Sequence, residues 1–220
     1  MDLALCVITH RVERLRRGHL EVVRAALEGG ASMIQLREKN VTDRELWALA
    51  REMRRMARKR GAGFVVNDRV DIALAAEADG VHLGADDLPV AAARRMLGPG
   101  AVIGASVANA EEARAAEAAG ATYVSAGSIF PTPSKEDAGK AIGIGPIGDI
   151  RRATALPVLA IGGINRDNVD AVIRAGAHGV AVISAVTEAG DMVEATSNLR
   201  RLIRKARSCS AEQEQSYDTA

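Results

Sequence analysis

In Ala175-Gly-Ala-His-Gly-Val-Ala-Val182 a helical pattern stops at a glycine and gives way to a short apolar run. Glycine after a last helical turn supplies the left-handed cap, and short β-branched runs are how buried parallel strands read. The same succession recurs in Glu28-Gly-Gly-Ala-Ser-Met-Ile-Gln-Leu36, Glu77-Ala-Asp-Gly-Val-His-Leu83 and Ala119-Gly-Ala-Thr-Tyr-Val-Ser125. Further apolar runs lie between these at 3–8, 64–66, 102–105 and 157–161, and helix-compatible stretches follow at 42–60, 89–97, 109–118 and 167–175. The count comes to about eight strand–helix pairs in order, which implies right-handed βαβ crossovers and a parallel sheet. An open doubly wound sheet would show Gly-x-Gly-x-x-Gly after its first strand, but Ile8-Thr-His-Arg11 stands there. The expected fold is therefore α/β, a single (βα)8 TIM barrel over residues 1–207. Its polar residues should gather at the C-terminal strand ends. Residues 208–220 are polar without apolar period and are expected to form a disordered tail.

Composition agrees with a compact single domain. The chain has 220 residues with 48% hydrophobic content, and α/β barrels commonly use about 200–250 residues as one unit. Lys and Arg number 29 against 28 Asp and Glu, a net charge of +1, so no global field steers the chain to nucleic acid or a membrane. Aromatics make up 2% and are scattered at Trp47, Phe64, Tyr123, Phe130 and Tyr217. That leaves no stacking platform for single-stranded nucleic acid. Cys6 and Cys209 form neither a disulfide framework nor a metal spacing, which suits a reducing compartment. The apolar run before Arg11 is too short for a signal peptide or a membrane span. A cytoplasmic protein is expected, without membrane or nucleic-acid partners.

The strand ends carry the chemistry. After the second strand, Gln35, Arg37 and Lys39 share one face while Leu36 and Glu38 point the other way. Two cations and an amide at a barrel mouth suit an anion, although the same residues would also read as a solvated loop with Glu38 in an ion pair. Asn67-Asp68 and Asp87 end the next two strands. Paired carboxylates beside cations fit a Mg²⁺–diphosphate site, since Mg²⁺ takes one or two carboxylates and fills its shell with phosphate oxygens and water. The competing role is helix N-capping, which Asp71 and Asp86 fit better. His82 lies inside an apolar strand and reads as an interior residue rather than a metal ligand.

Ser106 ends the fifth strand. Gly127-Ser-Ile-Phe-Pro-Thr-Pro-Ser-Lys135 then leads a long loop suited to closing as a lid. Gly162-Gly163 and Ile183-Ser184 end the last two strands, where barrels of this kind build a phosphate cup from backbone amides. The interior face thus reads as two anion sites, one diphosphate-like with metal and one for a monophosphate. No His–carboxylate, Ser–His or Cys–His relay stands at the strand ends. Chemistry would rest on electrostatic stabilisation of a leaving group.

The ordered set Gln35-x-Arg-x-Lys39, Asn67-Asp68-Arg-x-Asp71, Gly80-Val-His-Leu-Gly84 with Asp87, Gly104-x-Ser106, Gly127-x-Ile-Phe-Pro-Thr-x-Ser-Lys135, Ile161-Gly-Gly-Ile164 and Val182-Ile-Ser184 resembles the thiamine-phosphate synthase family. The resemblance spans residues 3 to about 203. It implies a Mg²⁺-dependent transferase that joins two small phosphorylated heterocycles. These are a hydroxymethylpyrimidine diphosphate and a hydroxyethylthiazole phosphate (or its carboxylated form), and diphosphate leaves first. The resemblance makes Asp68 and Asp87 the metal ligands, and Arg37, Lys39, Asn67 and Lys135 the diphosphate holders with Gln35 beside them. It sets Ser106 near the pyrimidine amino group and the diphosphate. Arg37, Lys39, Ser106 and Lys135 would be the catalytic groups, while Thr132, Ser134, Gly163, Ile183 and Ser184 would hold the thiazole phosphate. Association into a homo-oligomer stays open.

The chain departs from the family pattern at Ala85 (usually Gln), Ser128 (usually Pro), Ser134 (usually Thr) and His10 (usually Asp). Two other readings compete. The thiazole tautomerase branch carries a catalytic His about where Ser128 stands, and this chain has none near that loop. A non-catalytic phosphate-ligand-sensing barrel would bind both substrates and release no diphosphate.

Overall fold

The computed structural model describes the backbone of residues 1–134 and 140–217, and the side chains of these up to residue 208. The strands are β1 (Leu5–Ile8), β2 (Met33–Leu36), β3 (Gly63–Asn67), β4 (Gly80–Leu83), β5 (Val102–Val107), β6 (Tyr123–Ala126), β7 (Val158–Ile161) and β8 (Gly179–Val182). They pair in chain order, all parallel, and β8 closes on β1. Between consecutive strands run α1 (His19–Glu28), α2 (Asp43–Lys59), α3 (Val70–Ala75), α4 (Val90–Leu97), α5 (Ala110–Ala118), α6 (Gly145–Ala153) and α7 (Val169–Arg174). After β8 come α8 (Ser184–Thr187) and α9 (Met192–Tyr217). The chain is a single (βα)8 barrel, as the alternation of glycine caps and apolar runs predicts.

Period-2 alternation divides the strand residues between two cores. Leu5, Val7, Ile34, Leu36, Phe64, Val66, Val124 and Val180 belong to the large cluster packed against the helices. Cys6, Ile8, Met33, Val65, Tyr123, Leu159, Ala181 and Ile183 fill the barrel interior. Each large side chain so buried contributes roughly 1.5–3 kcal/mol. On β2 to β6 the last inward residues change character: Gln35 and Ser125 are buried, while Asn67 and Ser106 are half-buried. Across these five strands the interior is therefore apolar near the N-terminal ends and polar near the C-terminal ends, while Ile8, Ile161 and Ile183 keep it apolar beside β1, β7 and β8. That gradient places the site.

Local signals set several boundaries. Thr42 starts α2 through a capping box with Glu45, its hydroxyl accepting from the Glu45 amide while the Glu45 carboxylate accepts from the Thr42 amide. One expectation needs correcting. The backbone continues as helix through Tyr217, so the polar stretch from 208 does not begin as an unstructured tail. It contains no Gly or Pro, and its Ala, Glu and Gln residues are good helix formers that need no apolar stripe to extend an existing helix. Residues 218–220 lie outside the described ones. Among the described residues no helix is long and apolar enough to cross a membrane.

Candidate active site

One cavity of about 390 Å³ opens at the C-terminal strand ends. Arg37, Lys39, Asn67, Asp68, Asp87, Ser106, Thr132, Ser134, Gly163, Ile183 and Ser184 all line it, so residues spread over most of the chain converge on one space. Gln35 stands just behind this lining, buried, and its Nε2 donates to Asn67 Oδ1 at 2.7 Å. Lys135 lies outside the described residues.

The cationic wall rests on a strap that sequence spacing does not reveal. The Glu38 Oε1 accepts from the amides of Lys39 and Asn40, both at 2.8 Å, and Oε2 accepts from His19 Nε2 at 3.0 Å. His19 Nδ1 meets Thr9 Oγ1 at 2.9 Å, and Thr9 Oγ1 also accepts from the Arg37 amide at 3.3 Å. Burial alone would raise the Glu38 carboxyl, but the His19 bond and the Asn40 and Lys39 amides outweigh it and hold it below the usual range. Burial likewise pushes the His19 imidazole below its ordinary value, against the pull of Glu38. A neutral His19 thus donates Nε2–H to an ionised Glu38 and accepts at Nδ1 from the Thr9 hydroxyl. Glu38 points away from the cavity, as alternation predicts, and ties the β2–α2 loop that carries Arg37 and Lys39.

The acidic side excludes helix capping. Asp68 sits in the left-handed region at φ 62°, and its amide donates to the His82 carbonyl at 2.8 Å. Position 69 rather than 68 forms the N-cap of α3, and Pro89 forms that of α4, neither with a side-chain cap. Asp71 lies inside the first turn of α3, bound to Arg69. Asp86, which the sequence suits to a cap, lines the cavity instead. The Asp87 Oδ2 accepts from the Gly84 amide at 2.7 Å, which fixes that carboxylate toward β4. Lys39 Nζ lies 3.9 Å from Asp68 Oδ2. Among the described residues no three His, Cys, Asp or Glu groups form a cage. A pair of carboxylates suits Mg²⁺, whose remaining positions are ordinarily filled by phosphate and water oxygens.

Centrally, His82 is buried inside the barrel as expected, with Nε2 at 3.1 Å from Ser106 Oγ and Nδ1 at 2.9 Å from the Tyr123 hydroxyl. Ser125 and Ser128 also line the cavity and were not singled out by the sequence as ligand contacts. Ser125 pairs in register with Ser106, so alternation along β6 carried that signal. The far wall is formed by described residues of the loop after β6, the segment that the sequence suits to a lid. Amides of Ile129 and Phe130 donate to the carbonyls of Ile161 and Gly162 at 2.8 and 3.0 Å, and Ile142 and Gly143 return to Ser128 and Ile129. Ser134 Oγ lies 3.2 Å from Ser184 Oγ, joining the loop to the β8 end. The glycine pair has a specific cause. A Cβ on Gly162 would stand 2.0 Å from Ser128 Oγ, and one on Gly163 would stand 2.8 Å from the Pro131 carbonyl oxygen. The missing side chains make room for the lid loop, not for an anion alone.

Comparison with known proteins adds a lineage. The family model described as thiamine monophosphate synthase matches residues 5–186. A thiamine-phosphate synthase of Moorella thermoacetica is 53% identical over 191 residues, 87% of this chain and 91% of the relative. One from a Roseiflexus species is 52% identical over 200 residues, 91% and 85% of the two chains. Among solved structures, a thiamine phosphate pyrophosphorylase from Pyrococcus furiosus superposes with a TM-score of 0.85 at 44% identity, covering 93% of this chain and 97% of the other.

Proposed function

The chain belongs to the thiamine monophosphate synthase family and is a transferase that makes thiamine phosphate, and from that premise we propose how its cavity does so. The substrates are a hydroxymethylpyrimidine diphosphate and a hydroxyethylthiazole phosphate. The observation carrying this reading is the division of one cavity between two walls. Arg37, Lys39, Asp68 and Asp87 come from the ends of the neighbouring strands β2, β3 and β4, with Lys39 Nζ 3.9 Å from Asp68 Oδ2, while Ser134, Gly163 and Ser184 gather where the loop after β6 meets the ends of β7 and β8.

Diphosphate binds against Arg37, Lys39 and Asn67. Asp68 and Asp87 would hold Mg²⁺, which when bound supplies further positive charge to the diphosphate. The bond between the pyrimidine methylene and the diphosphate oxygen breaks, and its electron pair leaves with the oxygen. Arg37 and Lys39 stabilise the charge that gathers there more than they stabilise the bound substrate, which is what lowers the barrier. The thiazole, held by its phosphate against Thr132, Ser134, Gly163 and the Ile183-Ser184 backbone, then gives its ring nitrogen lone pair to the pyrimidine methylene cation. The family resemblance assigns Lys135 to the diphosphate as a further cation, and excluding water from the cavity would remove the competing nucleophile.

The test is a product assay on the purified chain. Thiamine phosphate and diphosphate are expected in equal amounts, only with both substrates, and with a rate that collapses when Mg²⁺ is chelated. Binding of both substrates without diphosphate release would instead indicate a sensor.

A further inference from the structure

We propose that Tyr123 and His82 are positioning residues that fix Ser106 as a hydrogen-bond donor into the cavity. The three lie on adjacent strands in register: His82 pairs with Gly104, Gly104 with Tyr123, and Ser106 with Ser125. Tyr123 is 1% exposed, and among the described residues its hydroxyl has one hydrogen-bond partner, His82 Nδ1 at 2.9 Å. Burial raises the phenol far above its ordinary range, so it keeps its proton.

That buried hydrogen needs an acceptor, because an unpaired polar hydrogen in the barrel interior costs the whole of its lost hydration. It therefore donates to Nδ1, and the ring carries its own proton on Nε2. Nε2–H in turn donates to Ser106 Oγ at 3.1 Å. Ser106 is then an acceptor toward the barrel, and its own O–H is left for whatever occupies the cavity that it lines. The opposite tautomer would orphan the phenolic hydrogen and spend the Ser106 hydrogen on the ring.

Gly104 supports the assignment. A Cβ there would stand 2.1 Å from Tyr123 Cζ, 2.3 Å from the Tyr123 hydroxyl and 2.5 Å from His82 Nδ1. Only a residue without a side chain leaves room for this bond. The rings also stack, with centroids 5.6 Å apart and planes 25° from parallel. These contacts hold the imidazole in one orientation.

The inference rests on the reading of the cavity as a diphosphate-releasing site. There the Ser106 donor meets an oxygen that gains negative charge as its bond to carbon breaks, so the hydrogen bond strengthens in the transition state without any proton transfer.

The test combines nitrogen NMR of the histidine rings with kinetics on the full chain, with both substrates and Mg²⁺. The His82 signals are identified by their loss in His82→Gln. In the wild type they should report the Nε2–H form, and in Tyr123→Phe that form should give way to a mixture. An Nδ1–H ring in the wild type overturns the proposal, whether or not any variant folds. Ser106→Ala should lower kcat by about 10²-fold, and Tyr123→Phe by about tenfold with little change in either KM. In the Ser106→Ala background Tyr123→Phe should add nothing, whereas a merely structural role would multiply the losses. Full activity in Ser106→Ala would sink the reading of Ser106 itself. An impaired Ser106→Ala beside an unimpaired Tyr123→Phe would leave that reading standing and overturn this inference.

Discussion

At the scale of single residues, Asp68 and Asp87 separate two kinds of aspartate that look alike in a sequence. A cap stabilises a helix by about 1 kcal/mol and does no chemistry, while a ligand or charge-stabilising group does the reverse. Neither Asp68 nor Asp87 caps the helix that follows it. Asp68→Asn and Asp87→Asn should therefore lower kcat/KM by about 10²–10³-fold with little change in melting temperature. A lowered melting temperature with near wild-type turnover at saturating Mg²⁺ would return them to a capping role. Most of the candidate site was legible because its residues sit at strand ends, where alternation says which way they face. The Tyr123–His82 bond and the Thr9–His19–Glu38 strap were not. Each joins residues whose adjacency depends on strand register or on how a helix end packs, and neither is written in local spacing.

At the scale of elements, two loops do the positioning. The β2–α2 loop is held through Glu38, which accepts from His19, Lys39 and Asn40. Glu38→Gln keeps the shape but weakens acceptance of those bonds. The KM for the pyrimidine diphosphate should rise by about tenfold, since charge-assisted bonds are roughly twice as strong as neutral ones, while that for the thiazole phosphate holds. Equal changes in both would mean general loosening. The lid loop passes the segment just after β7 at Gly163, whose φ is +61° and whose missing Cβ clears Phe130 and Pro131. Gly163→Ala should cost about 1–3 kcal/mol of stability and raise the KM for the thiazole phosphate selectively, as steady-state kinetics beside thermal melts would reveal. Unchanged thiazole binding would mean that the loop's place beside the segment after β7 does not matter to that substrate. Element order and most boundaries followed from glycine caps and apolar runs. The C-terminal limit of α9 did not, because a helix already docked can run on through polar residues without an apolar stripe.

For the whole molecule, two histidines tie stability to pH. His19 is held neutral within its strap, and His178 Nδ1 accepts the Val158 amide at 2.9 Å at the start of β7. Burial depresses both below the ordinary 6.5, more than Glu38 restores at His19 and with Arg151 and Arg207 adding to the effect at His178. Groups with depressed folded values bind more protons when unfolded, so their stability is fully present above about pH 6.5 and is lost as the pH falls through the folded values. Melting temperature should drop between about pH 7.5 and 5.5, and His178→Asn, which keeps an acceptor but cannot titrate, should flatten the drop. An unchanged slope would exclude His178 as a contributor.

The barrel brings both anion walls to one mouth, and everything proposed for the reaction depends on their holding different groups. A crystal structure of the chain with Mg²⁺, inorganic diphosphate and the thiazole phosphate tests this directly. The diphosphate should lie against Arg37 and Lys39 with the ion on Asp68 and Asp87, and the thiazole phosphate against Ser134, Gly163 and Ser184. A thiazole phosphate bound at Arg37 and Lys39, or a diphosphate bound under the lid loop, would contradict it.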